Sequence, residues 1–173
     1  MNKFTLEYYK KIQSIINKII KEESSKITKA AKLIKSSYLD GGQLYVFGTG
    51  HSHMMAEESF HRAGGFAGAC PILDRNTDFS KGAEKATKLE RTPGLATKVL
   101  NKYKLRTKDI LIIYSNSGVN HVPVEAALYA KKRKMKSISV LSYDYSKKAP
   151  LSKLNKRLFE ITDLFIDNKI PRG

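Results

Sequence analysis

The chain has 173 residues, of which 41% are hydrophobic, and its formal net charge is +16. No apolar run approaches the ~20 residues of a membrane span or the apolar core of a signal peptide, so we expect a cytoplasmic protein without a membrane partner. The basic residues are dense only at Lys131–Lys136. Nucleic-acid binders cluster such residues on one face, so we expect no nucleic-acid partner.

The N-terminal part, residues 1–42, predicts two helices that belong to the same domain as the rest of the chain. Apolar residues recur at helical spacing from Phe4 to Ile20, and Ser24-Ser25 offers a cap for a second helix. Asp40-Gly41-Gly42 ends that helix. The isoleucine-rich face of the first helix favours a contact between subunits of a homodimer or homotetramer, with packing inside one chain as the alternative.

The remainder, residues 43–173, predicts an α/β domain in which strands and helices alternate. We expect strands at 43–47, 67–73, 110–114, 137–141 and 164–167, and helices at 52–63, 95–103, 123–134 and within 151–158. Residues 75–109 are polar and predict a long surface excursion. The alternation indicates right-handed crossovers and a three-layer sandwich with a parallel sheet of about five strands. A helix normally follows the last strand of such a fold, so we expect one to be missing after residue 173.

Two predicted strands end in turns rich in glycine, serine and threonine. The first turn is Gly48-Thr49-Gly50, and the second is Ser115-Asn116-Ser117-Gly118. Each turn leads into a predicted helix, whose first N–H groups are unpaired and favour anions. Ligands of parallel α/β sheets bind at the carboxyl ends of the strands. The two turns together therefore predict a site for a phosphate ester, with an ordinary serine-rich helix cap as the alternative at the second turn.

The first turn also permits a weaker interpretation as a dinucleotide-binding loop. Its two glycines fit that pattern, and Asp74 after the second strand could hold a ribose. His53, however, occupies the position of the third glycine, where a side chain would prevent close packing of helix on strand. We therefore expect no nicotinamide or flavin cofactor.

The helix predicted after the first turn is rich in titratable groups. His53, Glu57 and His61 are four residues apart and are predicted to share a face, while Glu58 and Arg62 form an i,i+4 pair. Histidine and glutamate beside a bound sugar phosphate could exchange protons during an isomerisation or a β-elimination. A metal site built from His53, Glu57, His61 and His51 is the alternative, and His121 lies near enough to join either site.

These motifs resemble one known family. The segments VFGTGHSHMMAEESFHRAGG, SNSGVNHVPVEAA and DLFIDNKIPRG are similar to the sugar-isomerase (SIS) domain family, in particular to its single-domain members of unassigned function. The resemblance implies a flavodoxin-like or Rossmann-like parallel sheet, phosphosugar ligands, no organic cofactor, and dimers or tetramers with shared active sites. By motif position it places the phosphate on Ser52, Ser115 and Ser117, with Thr49 and Gly50 beside it.

The chain departs from the family pattern at residues that bear on catalysis. Relatives such as phosphoheptose isomerase and N-acetylmuramic acid 6-phosphate etherase carry a catalytic glutamate ten residues after the first-turn serine, a count that reaches Arg62 here. His61 beside it, or Glu58 one turn earlier, is the expected proton-transfer group, with His53 as a further candidate. Asn120 stands where many members have serine or threonine. Isomerase relatives often draw a histidine from a helix after the last strand, which we expect to be missing here.

The resulting expectation is a protein that binds a phosphorylated sugar or amino sugar. The phosphate-binding set is predicted to comprise Thr49, Gly50, Ser52, Ser115, Asn116, Ser117, Gly118 and Asn120, and the catalytic set His61, Glu58 and His53. An aldose–ketose isomerase that uses acid–base proton transfer and needs no metal fits these features best. A non-catalytic sugar-phosphate sensor, a phosphosugar lyase or etherase, and an epimerase remain alternatives.

Overall fold

A computed structural model describes residues 2–172. Five strands form one sheet, with bounds β1 Leu44–Gly48, β2 Ala69–Pro71, β3 Ile110–Tyr114, β4 Lys136–Leu141 and β5 Leu164–Asp167. They pair in the order β2-β1-β3-β4-β5, and every pairing is parallel. The predicted α/β class with a five-stranded parallel sheet is therefore confirmed.

Helices cover both faces of the sheet. Their bounds are α1 Lys3–Leu39, α2 His53–Glu58, α3 Ala83–Leu89, α4 Leu95–Leu100, α5 His121–Lys132 and α6 Tyr143–Lys148, with short 3-10 turns at Gly50–Ser52 and Leu158–Glu160. Side chains of one strand alternate between the faces, so Leu111 and Ile113 pack in the larger core with α4 and α5, whereas Ile110 packs with α1. Within residues 2–172, none of the helices is both long and apolar enough to cross a membrane.

The N-terminal segment forms one helix rather than two, so the prediction of two helices is wrong. The Asn2 side chain caps α1 by accepting from the Thr5 N–H at 2.9 Å. Ser24 starts no new helix, because its hydroxyl donates to the Ile20 carbonyl one turn earlier and the helix continues. The C-terminal half of α1 packs on the sheet through Ala30, while most of the N-terminal half is exposed.

Other boundaries differ from the predictions for local reasons. Residues 151–158 form no α-helix, because the Arg157 guanidinium donates to carbonyls at the end of α6 and ties the segment down as a loop. The segment 75–109 contains α3, which the sequence analysis missed. The helix predicted at 52–63 ends at Glu58, and His61 beyond it adopts a left-handed backbone with φ 47°.

Candidate functional site

The two predicted turns lie side by side at one rim of the sheet. β1 and β3 are adjacent parallel strands, and Gly48 is in register with Tyr114. The residues that follow each strand therefore leave the sheet at the same carboxyl edge. This arrangement confirms the expectation that the two turns meet at the rim where open α/β sheets bind ligands.

The first turn depends on a glycine in the left-handed region. Gly50 has φ 56°, and its N–H donates to the Thr77 carbonyl at 2.8 Å. A Cβ at this position would overlap the Glu90 carboxylate oxygen. The glycine thus lets a carboxylate approach the backbone of the turn. Ser52 closes the turn, with its N–H donating to the Thr49 carbonyl at 3.1 Å.

The second turn is a compact loop with one buried and one accessible hydroxyl. Ser115 is buried, and its Oγ accepts from the Gly118 N–H at 3.2 Å. Gly118 has φ 61° and packs against α6, where an added Cβ would lie 3.0 Å from Ser146 Oγ. Ser117 is half-buried and lines a cleft beside the loop. The loop therefore presents the Ser117 hydroxyl and the start of α5 to that cleft.

Glu90 joins the two turns and was missed by the sequence analysis. Its Oε2 accepts from the Asn120 amide at 2.8 Å, and its Oε1 lies against the backbone of Gly50 in the first turn. Burial raises the pKa of Glu90 above its ordinary value, and the hydrogen bonds and the nearby Arg91 offset this only in part. A half-buried carboxyl with a raised pKa between two turns is typical of a proton-transfer group.

The cleft next to the second turn has the size of a small-ligand site. Its volume is about 510 Å³, within the range of roughly 300–1,000 Å³ common for ligand pockets. Its lining includes the polar side chains of Ser117, Asn120 and His121 and the cationic residues Arg91 and Lys153. This distribution of hydroxyl, amide and cationic groups suits an anionic, hydroxyl-rich ligand.

His121 begins α5 at the edge of this cleft, as its sequence position predicts. Its Nε2 lies 4.0 Å from Glu125 Oε2, a contact too long for a hydrogen bond. The Glu125 carboxylate is held in place because it accepts from the Gly94 and Thr97 N–H groups at the start of α4. His121 therefore adjoins a fixed negative charge on one side and the cleft on the other.

The three predicted catalytic residues do not come together in the single chain. His53 is buried under the first turn, with Nδ1 3.2 Å from Thr77 Oγ1 and Nε2 3.6 Å from Glu57 Oε1. His61 lies past the end of α2 and lines a separate cavity of about 470 Å³. The prediction that His61 shares a helical face with His53 and Glu57 is therefore wrong.

Glu58 also lies outside the rim between the two turns. Its carboxylate is exposed and forms the predicted ion pair with Arg62. Arg62, in turn, lines the same cavity as His61. A catalytic role for Glu58, His61 or His53 thus stays a prediction.

The groups considered for other cofactors are engaged elsewhere. The His51 ring packs edge-to-face against the Phe79 ring, with the ring centroids 4.5 Å apart. Across residues 2–172, no group of three or more histidine, cysteine, aspartate or glutamate side chains is arranged to hold a metal ion. Asp74, the residue that a dinucleotide site would use, pairs with Lys102 and Asn76.

Comparison with known proteins assigns the chain to a family. Residues 7–142 match the profile of the SIS domain. The chain is 43% identical over 147 residues to a UPF0309 protein of Brucella anthropi, covering 85% of this chain and 60% of that protein. It is 36% identical over 168 residues to a UPF0309 protein of Geobacillus thermodenitrificans, covering 96% and 68%. The chain belongs to the SIS domain family, and it spans about 60% of the length of the Brucella relative.

Solved structures share the fold. A phosphoheptose isomerase from Neisseria gonorrhoeae superposes with a TM-score of 0.70 at 20% identity, covering 98% of this chain and 86% of that one. A phosphoheptose isomerase from Francisella tularensis gives 0.68 at 18% identity, covering 99% and 87%. At these identities the likeness extends to the fold, and the resemblance identified from the motifs is confirmed at the level of the family.

Proposed function

We propose that this chain binds a phosphorylated sugar or amino sugar and catalyses its aldose–ketose isomerisation. One observation carries the proposal. Two turns suited to binding an anion meet at the C-terminal edge of the sheet, and the side-chain carboxyl of Glu90 lies between them. Family membership and the fold shared with two phosphoheptose isomerases support the same substrate class.

In this proposal the phosphate is held mainly by the second turn. The Ser117 hydroxyl, the Asn116 and Asn120 amides and the N–H groups at the start of α5 supply donors, while Ser115 and Gly118 hold the shape of the loop. From the first turn, Thr49, Gly50 and Ser52 complete the set. No cofactor is needed, because proton transfer between adjacent carbons requires one acid–base group and stabilisation of the enediol.

Glu90 is the proposed proton-transfer group of this rim. A carboxyl whose pKa is raised by burial accepts a carbon-bound proton and returns it to the neighbouring carbon more readily than an exposed glutamate. His121, which lines the cleft beside the second turn, supplies a second group for moving a hydroxyl proton. His53, His61 and Glu58 stay candidates for such a role, the last two if assembly brings them to the rim of another subunit.

The proposal is tested by measuring binding and turnover together. A panel of hexose, heptose and amino-sugar phosphates is screened by thermal shift, since a ligand of the native state raises the melting temperature by mass action. Stabilising members are then assayed for aldose–ketose interconversion. Selective stabilisation with turnover supports the isomerase, stabilisation without turnover supports the sensor, and no stabilisation by any phosphosugar rejects the proposal.

We also propose that the chain assembles with further copies of itself through α1. The N-terminal half of α1 leaves an apolar stripe exposed, with Tyr8 at 69%, Ile16 at 44% and Ile20 at 62% exposure. Two identical stripes are complementary when the helices pack antiparallel, and apolar stripes of this length are normally covered. Ile16→Glu combined with Ile20→Glu is expected to yield monomers by light scattering. The exposed change Lys10→Glu is the control, and an unchanged mass in both variants contradicts the proposal.

A further inference from the structure

Residues 168–170, which we call the strap, follow β5 and run along the rim beside the second turn. The Asn168 N–H donates to the last carbonyl of β4 at 2.9 Å, and the Ser142 hydroxyl donates to the Ile170 carbonyl at 2.6 Å. Lys169 Nζ forms ion pairs of 2.8 to 3.0 Å with carboxylates from α1 and β5. The strap is thus held by bonds to three separate elements.

The hydrogen bonds of the strap fix the orientation of the Asn168 amide. The Ile170 N–H donates to Asn168 Oδ1 at 3.0 Å. A backbone N–H can only donate, so the atom it meets must be the amide oxygen. The Asn168 NH₂ group therefore faces the other way, and it donates to Asn116 Oδ1 in the second turn at 3.1 Å.

The orientation of Asn168 determines that of Asn116. Because Asn116 uses its oxygen to accept from Asn168, its NH₂ group is directed away from the strap. Within residues 2–172 this Nδ2 atom has no hydrogen-bond partner, and it is not fully buried, so it keeps some accessible surface. The turn that carries Ser115 and Ser117 thus also carries an accessible donor of fixed orientation.

We propose that Asn168 is a positioning residue for ligand recognition, and that it acts by holding the Asn116 NH₂ group as a donor to the phosphate. This inference rests on the proposed function. A phosphate dianion offers only acceptor oxygens, so an Asn116 amide that presented its own oxygen would repel it. Asn168 removes that unfavourable orientation before the ligand arrives, which strengthens binding by preorganisation.

The substitution Asn168→Asp tests this role directly. One carboxylate oxygen still accepts from the Ile170 N–H, but the other faces Asn116, whose amide is expected to rotate and donate its NH₂ group to the new carboxylate. The added charge also repels phosphate without any rotation. Asn116→Ala separates the two effects, because in its background only the repulsion remains. Asn168→Ala, a neutral change, provides a second variant.

The experiment is a double-mutant cycle in which inorganic phosphate is titrated by calorimetry. Asn168→Asp is expected to weaken binding about tenfold or more with Asn116 present and about threefold or less in the Asn116→Ala background. Asn168→Ala is expected to weaken binding severalfold with Asn116 present and not at all without it. Asn17→Asp on α1 is the charge control, and melting curves report on folding.

The outcomes separate this inference from the function on which it rests. Suppose that the unmodified protein binds phosphate but each Asn168 variant weakens binding by the same factor with Asn116 and in the Asn116→Ala background. Asn168 then does not act through Asn116, and this inference is overturned while the proposed function stands. If the unmodified protein binds neither inorganic phosphate nor any sugar phosphate, the proposed function fails and the inference falls with it.

Discussion

The side-chain amide of Asn120 donates to the Glu90 carboxylate at 2.8 Å, and this bond joins the second turn to a residue beside the first. Asn120 precedes α5, whereas Glu90 follows α3, so the contact spans 30 residues of sequence. Because the Glu90 carboxylate also lies against Gly50 of the first turn, a single carboxyl is shared by both halves of the candidate site.

Replacing Glu90 by glutamine is expected to abolish turnover while preserving binding. Glutamine keeps the shape and still accepts from Asn120, but it cannot take up a proton. We expect a fall in kcat of at least about a hundredfold, with sugar-phosphate affinity changed less than about threefold. In the unmodified protein the raised pKa of Glu90 is expected to move the acidic limb of the pH–rate profile to higher pH. Residual turnover that keeps this limb would exclude Glu90 as the proton-transfer group.

The same substitution is expected to stabilise the fold near neutral pH. Because burial raises the pKa of Glu90, the folded chain holds that proton more tightly than the unfolded chain. The resulting stability is complete below the unfolded pKa and is lost as pH rises through the folded pKa. Glu90→Gln should therefore raise the free energy of unfolding by roughly 1 kcal/mol at pH 7 and by little at pH 4. Glu84→Gln, an exposed change on α3, is the control, and equal effects at both pH values would contradict this assignment.

Replacing Gly50 by alanine is expected to destabilise the first turn in two ways. The left-handed backbone at φ 56° costs roughly 1 kcal/mol for any other residue, and the new methyl group would also displace the Glu90 carboxylate. Gly64 is a matched control, because it has φ 71° but nothing within 4 Å of an added Cβ. Urea unfolding should show a larger loss for Gly50→Ala than for Gly64→Ala. Equal losses would mean that Glu90 does not crowd the turn.

Removing the Lys169 ammonium is expected to destabilise the chain in a pH-dependent manner. Glu23 and Asp167 are buried, and hydrogen bonds and ion pairs, including those from Lys169, overcome the effect of burial and lower the pKa of each carboxyl. The stability from such carboxylates is present above their unfolded pKa and is lost as pH falls. Lys169→Met should therefore cost about 2–4 kcal/mol at pH 7 and progressively less toward pH 4.

Lys147→Met provides the comparison for Lys169. Lys147 pairs with the exposed Asp144 at 3.3 Å, and exposed pairs of this kind contribute about 0–1 kcal/mol. Thermal unfolding between pH 4 and pH 8 would distinguish the two variants. A Lys169→Met deficit that did not vary with pH would show that the Glu23 and Asp167 carboxylates do not depend on this ammonium group.

Local patterns predicted most of the sheet, because each strand is a short apolar run closed by a turn. The strand at 164–167 and the turns after β1 and β3 follow from residues that are adjacent in sequence. Glu90 could not be found in this way. Its place in the candidate site comes from contacts with Asn120 and Gly50, which are distant in sequence, and no motif in the polar segment 75–109 marks it.

The wrong predictions along α1 and α2 have a different origin. There a local sequence pattern was present, but the structure does not follow it. Serine at position 24 could cap a helix, but its hydroxyl instead donates to the Ile20 carbonyl within a longer helix. The prediction that His53 and His61 share a face assumed a helix that continues past residue 61, whereas α2 ends at Glu58. The predictions at Ser24 and His61 each depended on where a helix ends, and the local sequence pattern alone did not define that position.

The most direct test of this account is the calorimetric titration of Ser117→Ala with the sugar phosphate that most strongly stabilises the unmodified protein. Loss of one charge-assisted hydrogen bond to phosphate should weaken binding about tenfold or more. Ser14→Ala on α1 is the matched control and should bind like the unmodified protein. Unchanged affinity in Ser117→Ala would contradict the claim that the two turns at the carboxyl rim form a phosphate site.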